Sequence, residues 1–507
     1  MTRRRELFRF AKNAVANVAR GGASAIVALL LPPFLTRSMS REAFGAWSLV
    51  LQLAAYVGYF DFGIQTALGR FVAHSTERQD FDYRDRIVST GFFLLAISGC
   101  IAFFGIVALV VVLPQIFHQI HGTLVRDVRV SLLLVGGSLA LCLPASTFAA
   151  VFIGLQRNEI PALIISVPRL VGAALIAIVV HYGAGLPTMA VVTAVANVCA
   201  FLLQYAAYRG WTTAIRISFA RVTWRIVREL IDYCFSLTVW GLGLLLVTGL
   251  DLAIVGFYRF GEVGYYSVAA TLVTFFNGLF GALFGAMGSP TAVLHAREDG
   301  VGLGRMVATA TRIGMLLMLV VGLPLIFGAR KVLGLWVGSG YADHAAPLLQ
   351  LLIAANIIRI CVSPYIIAMI STGEQRRIIF VPLLEGVTNL VISVIAGYYL
   401  GALGVALGTL IGASVSIAGH ILYTMHQSVA IRLNVIDYLR GSLLRPVACT
   451  IPLFLTAGIW TYFYRASPSW LSMLVEVVAG IMTFYLFWAV GLIPEERKAL
   501  ISRLGFK

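Results

Sequence analysis

Apolar residues in this chain fall in long unbroken runs, not at the spacing of amphipathic helices or strands. Fourteen runs approach the length of a membrane crossing: 12–35, 44–69, 87–113, 130–154, 158–181, 186–208, 232–257, 263–288, 308–329, 346–370, 378–400, 402–424, 441–464 and 470–493. A helix crossing the hydrocarbon needs about 20 mostly apolar residues. Only closed helices or barrels satisfy their backbones in lipid, and these runs are too long for barrel strands. The pattern predicts an all-α polytopic membrane protein with an even number of spans and both ends on one side.

Composition agrees. Of 507 residues, 60% are apolar and 12% are Asp, Glu, Lys or Arg, half the roughly 25% charged residues of a soluble domain. A mean hydropathy of +0.91 excludes cytosolic enzymes, nucleic-acid modules and secreted disulfide scaffolds. The six cysteines (100, 142, 199, 234, 361 and 449) all lie in apolar stretches, and no Cys-x-x-Cys occurs. Neither a zinc site nor a disulfide framework is supported. The opening Met1-Thr-Arg-Arg-Arg-Glu leads into a long span without a small-residue cleavage site, so it reads as a retained first helix.

The formal charge of +16 acquires meaning from its location, because Lys and Arg accumulate in cytoplasmic loops. With a cytoplasmic N-terminus, 27 of the 38 Lys and Arg fall on inside segments, eight on outside loops and three within spans. The expected location is therefore a bacterial inner membrane, with both termini cytoplasmic.

The largest inside break divides the twelve leading spans into six and six. Expected units are an N-lobe at 1–208, a linker at 209–231, a C-lobe at 232–424, and a helix pair with a basic tail at 425–507. In the linker, Phe219, Val222, Ile226 and Leu230 share one helical face and Arg221, Arg225 and Arg228 the opposite one. That pattern predicts an amphipathic helix lying on the membrane surface. An internal repeat supports the lobes. Gly45-Ala-Trp47-Ser48 recurs as Gly264-Tyr-Tyr266-Ser267, and Gly154-Leu-Gln156-Arg157 as Gly373-Glu-Gln375-Arg376, both at an offset of 219. Both sets of six begin inside, so the repeat is parallel, about an axis along the membrane normal. Transporters built this way bind substrate near mid-membrane and rock one half against the other.

Several segments resemble the polysaccharide (Wzx-type) flippases of the multidrug/oligosaccharidyl-lipid/polysaccharide exporter superfamily. They are Leu31-Pro32-Pro33-Phe34, Phe44-Gly45-Ala-Trp47-Ser48, Asp61-Phe-Gly63, Asp251-Leu-Ala-Ile-Val-Gly256, Glu385-Gly-Val-Thr-Asn389 and Gly401-Ala-Leu-Gly404-Val-Ala-Leu-Gly408-Thr409. The resemblance runs the whole length of the chain. It implies a flippase, not an enzyme, carrying undecaprenyl-diphosphate-linked oligosaccharide from the cytoplasmic to the periplasmic leaflet, with proton or sodium coupling. It also implies membrane lipids, a polysaccharide polymerase and chain-length machinery as partners, and no nucleic acid. Alternatives on the same scaffold are cation-coupled multidrug efflux and lipid II flipping. The serine of the lipid II flippases' Ser-Arg first-span signature is absent from Asn17-Val-Ala-Arg20-Gly21-Gly22, which ranks that substrate lower. A membrane-embedded glycan enzyme is disfavoured by short outside loops. The longest contains His118, His121 and Asp127, but no carboxylate pair or metal-ligand spacing. No P-loop motif is present, so neither ATP nor any other cofactor is expected.

Ionisable residues inside spans are expensive and call for a reason. Arg20 and Asp61 lie at equal depth in consecutive spans, which predicts an ion pair able to act as a gate. Arg169 and Arg359 fall near the midplane, each close to a proline. A guanidinium binds phosphate oxygens bidentately and stays charged, which makes both candidates for the diphosphate or sugar. Pairing of Arg359 with Glu385 is the alternative. Asp251 and Glu385 are candidates for ion coupling. Trp47 and Tyr266, equivalents in the repeat, are candidate sugar-stacking residues, although Trp and Tyr also line membrane interfaces.

Overall fold

The fold is taken from a computed structural model. It describes residues 25–212, 215–285, 287–453, 455–456 and 480–492, with 22, 478, 494 and 497. Among these the chain is helical and has no strand. Ten helices are long and apolar enough to cross a membrane, and eleven if one bent pair counts as a single span. Those eleven correspond to the expected spans 2 to 12. The expected spans 1, 13 and 14 lie partly outside the described residues, which contain the shorter apolar helices Ala25–Ser38 and Gly480–Gly491. The protein is a multi-pass membrane protein, and side chains such as Phe104, Leu163 and Ile395 turn outward from the bundle.

The first bundle opens with α1 (Ala25–Ser38) and α2 (Arg41–Ala55). A 3-10 turn over Tyr56–Asp61 and left-handed Phe62 and Gly63 break the second crossing before α3 (Ile64–Glu77). Gly63 has φ +78°, and a Cβ there would meet Leu237 Cβ at 2.6 Å, so only glycine lets the two chains approach. The long α4 (Phe81–Ile116) follows. Next, α5 (Thr123–Cys142) and α6 (Ser146–Gly154) meet at a turn containing Pro144, before α7 (Glu159–His181) and α8 (Leu186–Trp211).

The second bundle begins with α9 (Trp224–Leu244), a π-helical segment Leu245–Gly249, and α10 (Asp251–Arg259). It continues through α11 (Val263–Gly285), α12 (Gly288–Ala296), α13 (Gly300–Phe327) and the short α14 (Ala329–Val337). A bend of 45° joins α15 (Ser339–Ile360) to α16 (Ser363–Ser371). The short α17 (Gln375–Ile378) leads to α18 (Phe380–Leu400) and α19 (Ala402–Gly419). Glycines let α18 and α19 pack backbone to backbone: a Cβ on Gly404 would lie 2.1 Å from the Ala396 carbonyl oxygen.

The repeat survives in backbone detail. Gln79 (φ 57°) and Glu298 (φ 55°) are 219 apart and both left-handed. The following residues, Asp80 and Asp299, each accept a hydrogen bond at a helix start, from the Tyr83 and Gly302 N–H groups. The Leu143–Ala145 break and the break between Ile360 and Ser363 also stand one offset apart.

Equivalent residues also touch each other. The Ser267 hydroxyl donates to Ser48 Oγ at 2.8 Å, and a Cβ on Gly45 would lie 3.2 Å from the Gly264 nitrogen. A residue contacting its own symmetry equivalent must lie at the pseudo-twofold axis, as in an isologous interface. Around this contact Arg41 donates to the Tyr265 hydroxyl at 2.6 Å, Gln119 to the Tyr258 carbonyl at 2.6 Å, and the Trp336 indole to the Leu29 carbonyl at 2.8 Å. Among the described residues, every side-chain hydrogen bond linking the chain beyond Gly249 to the chain before Thr212 lies toward this arginine-poor end.

The segment between the bundles differs from the amphipathic helix expected over 209–231. Instead α8 runs on to Trp211, a single 3-10 turn occupies Phe219–Arg221, and helix resumes at Trp224. Side chains of α4 hold this segment extended. Ser89 bonds both the Arg216 carbonyl and the Ser218 N–H, and Asp85 pairs with Arg221. Ile226 and Leu230 are buried against Ile64, Leu68 and Leu95, and so pack on the first bundle and not on lipid.

A Ser48→Cys/Ser267→Cys variant should form a disulfide on mild oxidation, because the two hydroxyls already touch. Mass spectrometry of the cross-linked peptide checks this. Gly45→Val should destabilise the fold by about 1–3 kcal/mol through overpacking, read as a lower thermal midpoint in detergent.

Candidate functional site

The π-helical segment at 245–249 removes backbone carbonyls from the regular α-helical ladder, and inside a membrane each needs another partner. Polar side chains supply them. Asn389 of α18 donates to the Val247 carbonyl at 2.7 Å and reaches that of Leu246 at 3.3 Å. Gln52 and Tyr56, both from the first bundle, donate to the Gly249 carbonyl, each at 2.7 Å. The break therefore exists because three polar residues from neighbouring helices complete it.

Asp251 stands two residues beyond this capped carbonyl, in the first turn of α10. Its buried carboxylate accepts the Tyr266 hydroxyl at 2.8 Å and lies 3.3 Å from the Thr409 hydroxyl and 3.4 Å from the Asn389 amide. Arg359, at the end of α15, donates Nε to Glu385 of α18 at 2.8 Å. Of the two pairings weighed from sequence, the structure thus brings Arg359 and Glu385 together. The arginine's Nη2 is buried without a hydrogen-bond partner. Asp251, Tyr266, Thr409 and Arg359 line one cavity of about 100 Å³.

That cavity is the inner end of a series. Gln52, Leu252, Ala270 and Thr274 are shared with a cavity of about 340 Å³ between the bundles. This in turn shares Val27, Leu31, Trp47 and Leu51 with one of about 360 Å³ that reaches Pro168 and Arg169 on α7. The three form a lumen running from Arg169 in one bundle to Asp251 and Arg359 in the other. Trp47 sits at its middle, 2% exposed, with an indole N–H that has no hydrogen-bond partner. Its repeat equivalent, Tyr266, uses its polar tip on Asp251.

The remaining sequence candidates separate from this lumen. Asp61 lies at the α2–α3 break, on a different cavity of about 370 Å³ facing α9, and accepts the Gln65 N–H at 3.3 Å. Arg20, its expected partner, lies outside the described residues. Gln52, Tyr56, Asn389 and Thr409 were not singled out as site residues from sequence. Their signal is an amide or hydroxyl placed within an apolar span, which is weaker than a formal charge. Among the described residues no cluster of three or more His, Cys, Asp or Glu could hold a metal ion.

Residues 10–291 match the sequence profile of a family described as polysaccharide biosynthesis protein. A Shigella flexneri protein provisionally named an O-antigen transporter is 27% identical over 135 residues. That match covers 26% of this chain and only 30% of the relative's length. Among solved structures, an inward-facing multidrug resistance MATE family transporter of the MOP superfamily superposes with a TM-score of 0.69 at 14% identity, covering 85% of this chain and 99% of that one. The lipid II flippase MurJ, in an inward closed conformation, gives 0.69 at 13% identity, over 98% of this chain and 100% of that one. At these identities the likeness is one of fold.

Glu385→Ala leaves the Arg359 charge buried and unpaired, which should destabilise the protein by about 3–5 kcal/mol. Replacing both members with leucine should recover most of the loss. Thermal unfolding of the three proteins in detergent checks the pair. Asn389→Ala orphans the carbonyls of the π-helical segment and should cost about 1–3 kcal/mol in the same assay.

Proposed function

The chain belongs to the polysaccharide biosynthesis protein family, and from that premise we propose that it flips an undecaprenyl-diphosphate-linked oligosaccharide across the bacterial inner membrane. The supporting observation is the lumen between the bundles. It carries the Arg169 guanidinium, the free Arg359 Nη2 and the unsatisfied Trp47 indole N–H, while contacts at the pseudo-twofold axis close its arginine-poor end. A diphosphate entering a low-dielectric lumen needs charged, bidentate donors, and a sugar needs hydrogen-bond donors beside an aromatic face. The polyprenyl tail stays in lipid throughout.

With the arginine-rich end cytoplasmic, the lumen would take its head group from the leaflet where such lipids are assembled. Separation of the two bundles at Gly45, Ser48, Gly264 and Ser267, with closure at the opposite end, would pass the head group across. Asp251 is the proposed coupling group. Its carboxylate, with the Tyr266 and Thr409 hydroxyls and the Asn389 amide, offers oxygen ligands to sodium or a site for a proton. A polymerase and chain-length machinery would receive the flipped repeat unit.

A deletion strain should accumulate a diphosphate-linked oligosaccharide and lose the matching surface glycan, as read by lipid extraction and mass spectrometry. The Arg169→Gln/Arg359→Gln/Glu385→Gln variant removes both arginines together with the carboxylate that Arg359 binds. It should reach the membrane yet lower flipping about tenfold to a hundredfold, the loss expected for one charged hydrogen bond worth about 1.5–3 kcal/mol. Intact flipping by this variant would overturn the head-group role. An unchanged lipid pool with heightened sensitivity to cationic dyes would favour multidrug efflux.

A further inference from the structure

Outside the lumen, a cleft of about 650 Å³ opens at the arginine-rich end, between the last turns of α3, the start of α4 and the start of α9. Arg70, His74 and Arg78 stand four residues apart along one face of α3 and line one wall, and Arg225 lines the other. The acidic residues in the cleft are committed elsewhere. Asp80 accepts the Tyr83 N–H at the start of α4 at 3.1 Å, Asp82 pairs with Arg86 at 2.8 Å, and Glu229 accepts the Tyr83 hydroxyl at 2.6 Å. Arg70 rests over the Tyr233 ring, with 5.1 Å between guanidinium carbon and centroid. Among the described residues, Arg70, Arg78 and Arg225 take part in no salt bridge.

The internal repeat supplies a control for whether the fold requires this basic face. The second copy keeps the left-handed residue and the capping aspartate, at Glu298 and Asp299. At the positions of Arg70 and His74, however, it has Ser289 and Val293, while Arg78 has its equivalent in Arg297. The same turn is thus built without a counterpart of Arg70, so the architecture does not require a charge at that position.

We propose that this cleft is a phosphate-binding site, taking a phosphate or diphosphate group between Arg70 and Arg78 of the first bundle and Arg225 at the start of α9. Arginine's planar fork suits phosphate oxygens on both walls, and the Tyr83–Glu229 hydrogen bond fixes the spacing of those walls. The phosphate can come from an anionic lipid headgroup or from a diphosphate presented at the membrane surface. The inference stands apart from the lumen and does not need it: failure of the cleft leaves the transport experiment untouched, and the converse holds.

The test uses the full chain in detergent and two probes. One is inorganic diphosphate, titrated by calorimetry. The other is phosphatidylglycerol, whose retention against phosphatidylcholine is read by native mass spectrometry. Arg78→Gln/Arg225→Gln should weaken binding at least tenfold, and Arg78→Lys/Arg225→Lys should keep most of it. Both side chains are exposed, so the ligand-free thermal midpoint should not change. Binding to the wild type should also fall as salt is raised. Loss of both probes supports a general phosphate site. Loss of phosphatidylglycerol alone assigns it to the lipid headgroup, and loss of diphosphate alone to the presented diphosphate. Wild-type protein that binds neither probe, or a glutamine variant that binds both normally, overturns the proposal.

Discussion

The contact of Gly45 and Ser48 with Gly264 and Ser267 is the constraint on which the architecture turns. Two helical bundles of similar design can be related by any number of arrangements, but residues that meet their own repeat equivalents place the symmetry axis there. Only small side chains serve. A Cβ on Gly45 is already tight against the Gly264 backbone, and the Ser267–Ser48 hydroxyl pair passes its bond onward to the Phe44 carbonyl at 3.0 Å. No donor is left unsatisfied in this serine pair, and none of it involves a formal charge. A seam of this kind is closely packed, and can part without stranding an ion in lipid. Interlobe bonds at Arg41, Gln119 and Trp336 gather round it, while α9 packs on the first bundle toward the opposite end.

Much of this was legible in the chain because the lipid restricts what a sequence can do. Runs of about 20 apolar residues have one solution, so the helical class and spans 2 to 12 followed from length alone. The offset of 219 was visible in two short matches, and the structure extends it to the left-handed pair Gln79 and Glu298. What escaped was local. The linker sequence has helical periodicity, but Ser89 and Asp85 on α4 compete for it and hold it extended. That competition lies more than a hundred residues away in the chain and has no local signal. Likewise, formal charges drew attention to Arg359, Glu385 and Asp251, while Gln52, Tyr56 and Asn389, which make the Asp251 environment possible, are neutral residues within apolar runs.

Those neutral residues carry a mechanical consequence. The Gly249 carbonyl belongs to the second bundle, yet both of its side-chain donors, Gln52 and Tyr56, belong to the first. The Val247 carbonyl is held by Asn389 within the second bundle, and Asn389 also lies beside Asp251. Rotation of one bundle against the other must therefore strip Gly249 of its donors, while Val247 keeps its own. A freed carbonyl in an apolar span costs several kcal/mol unless water or a regular helical bond replaces the donor. The π-helical segment can meet that cost by tightening toward α-helical register, which turns Asp251 on the helix axis relative to Tyr266 and Thr409. Opening of the lumen and the coordination around Asp251 are then one event seen at two places. The proposed coupling needs no longer-range pathway, because the same five-residue segment touches both bundles and ends at the carboxylate.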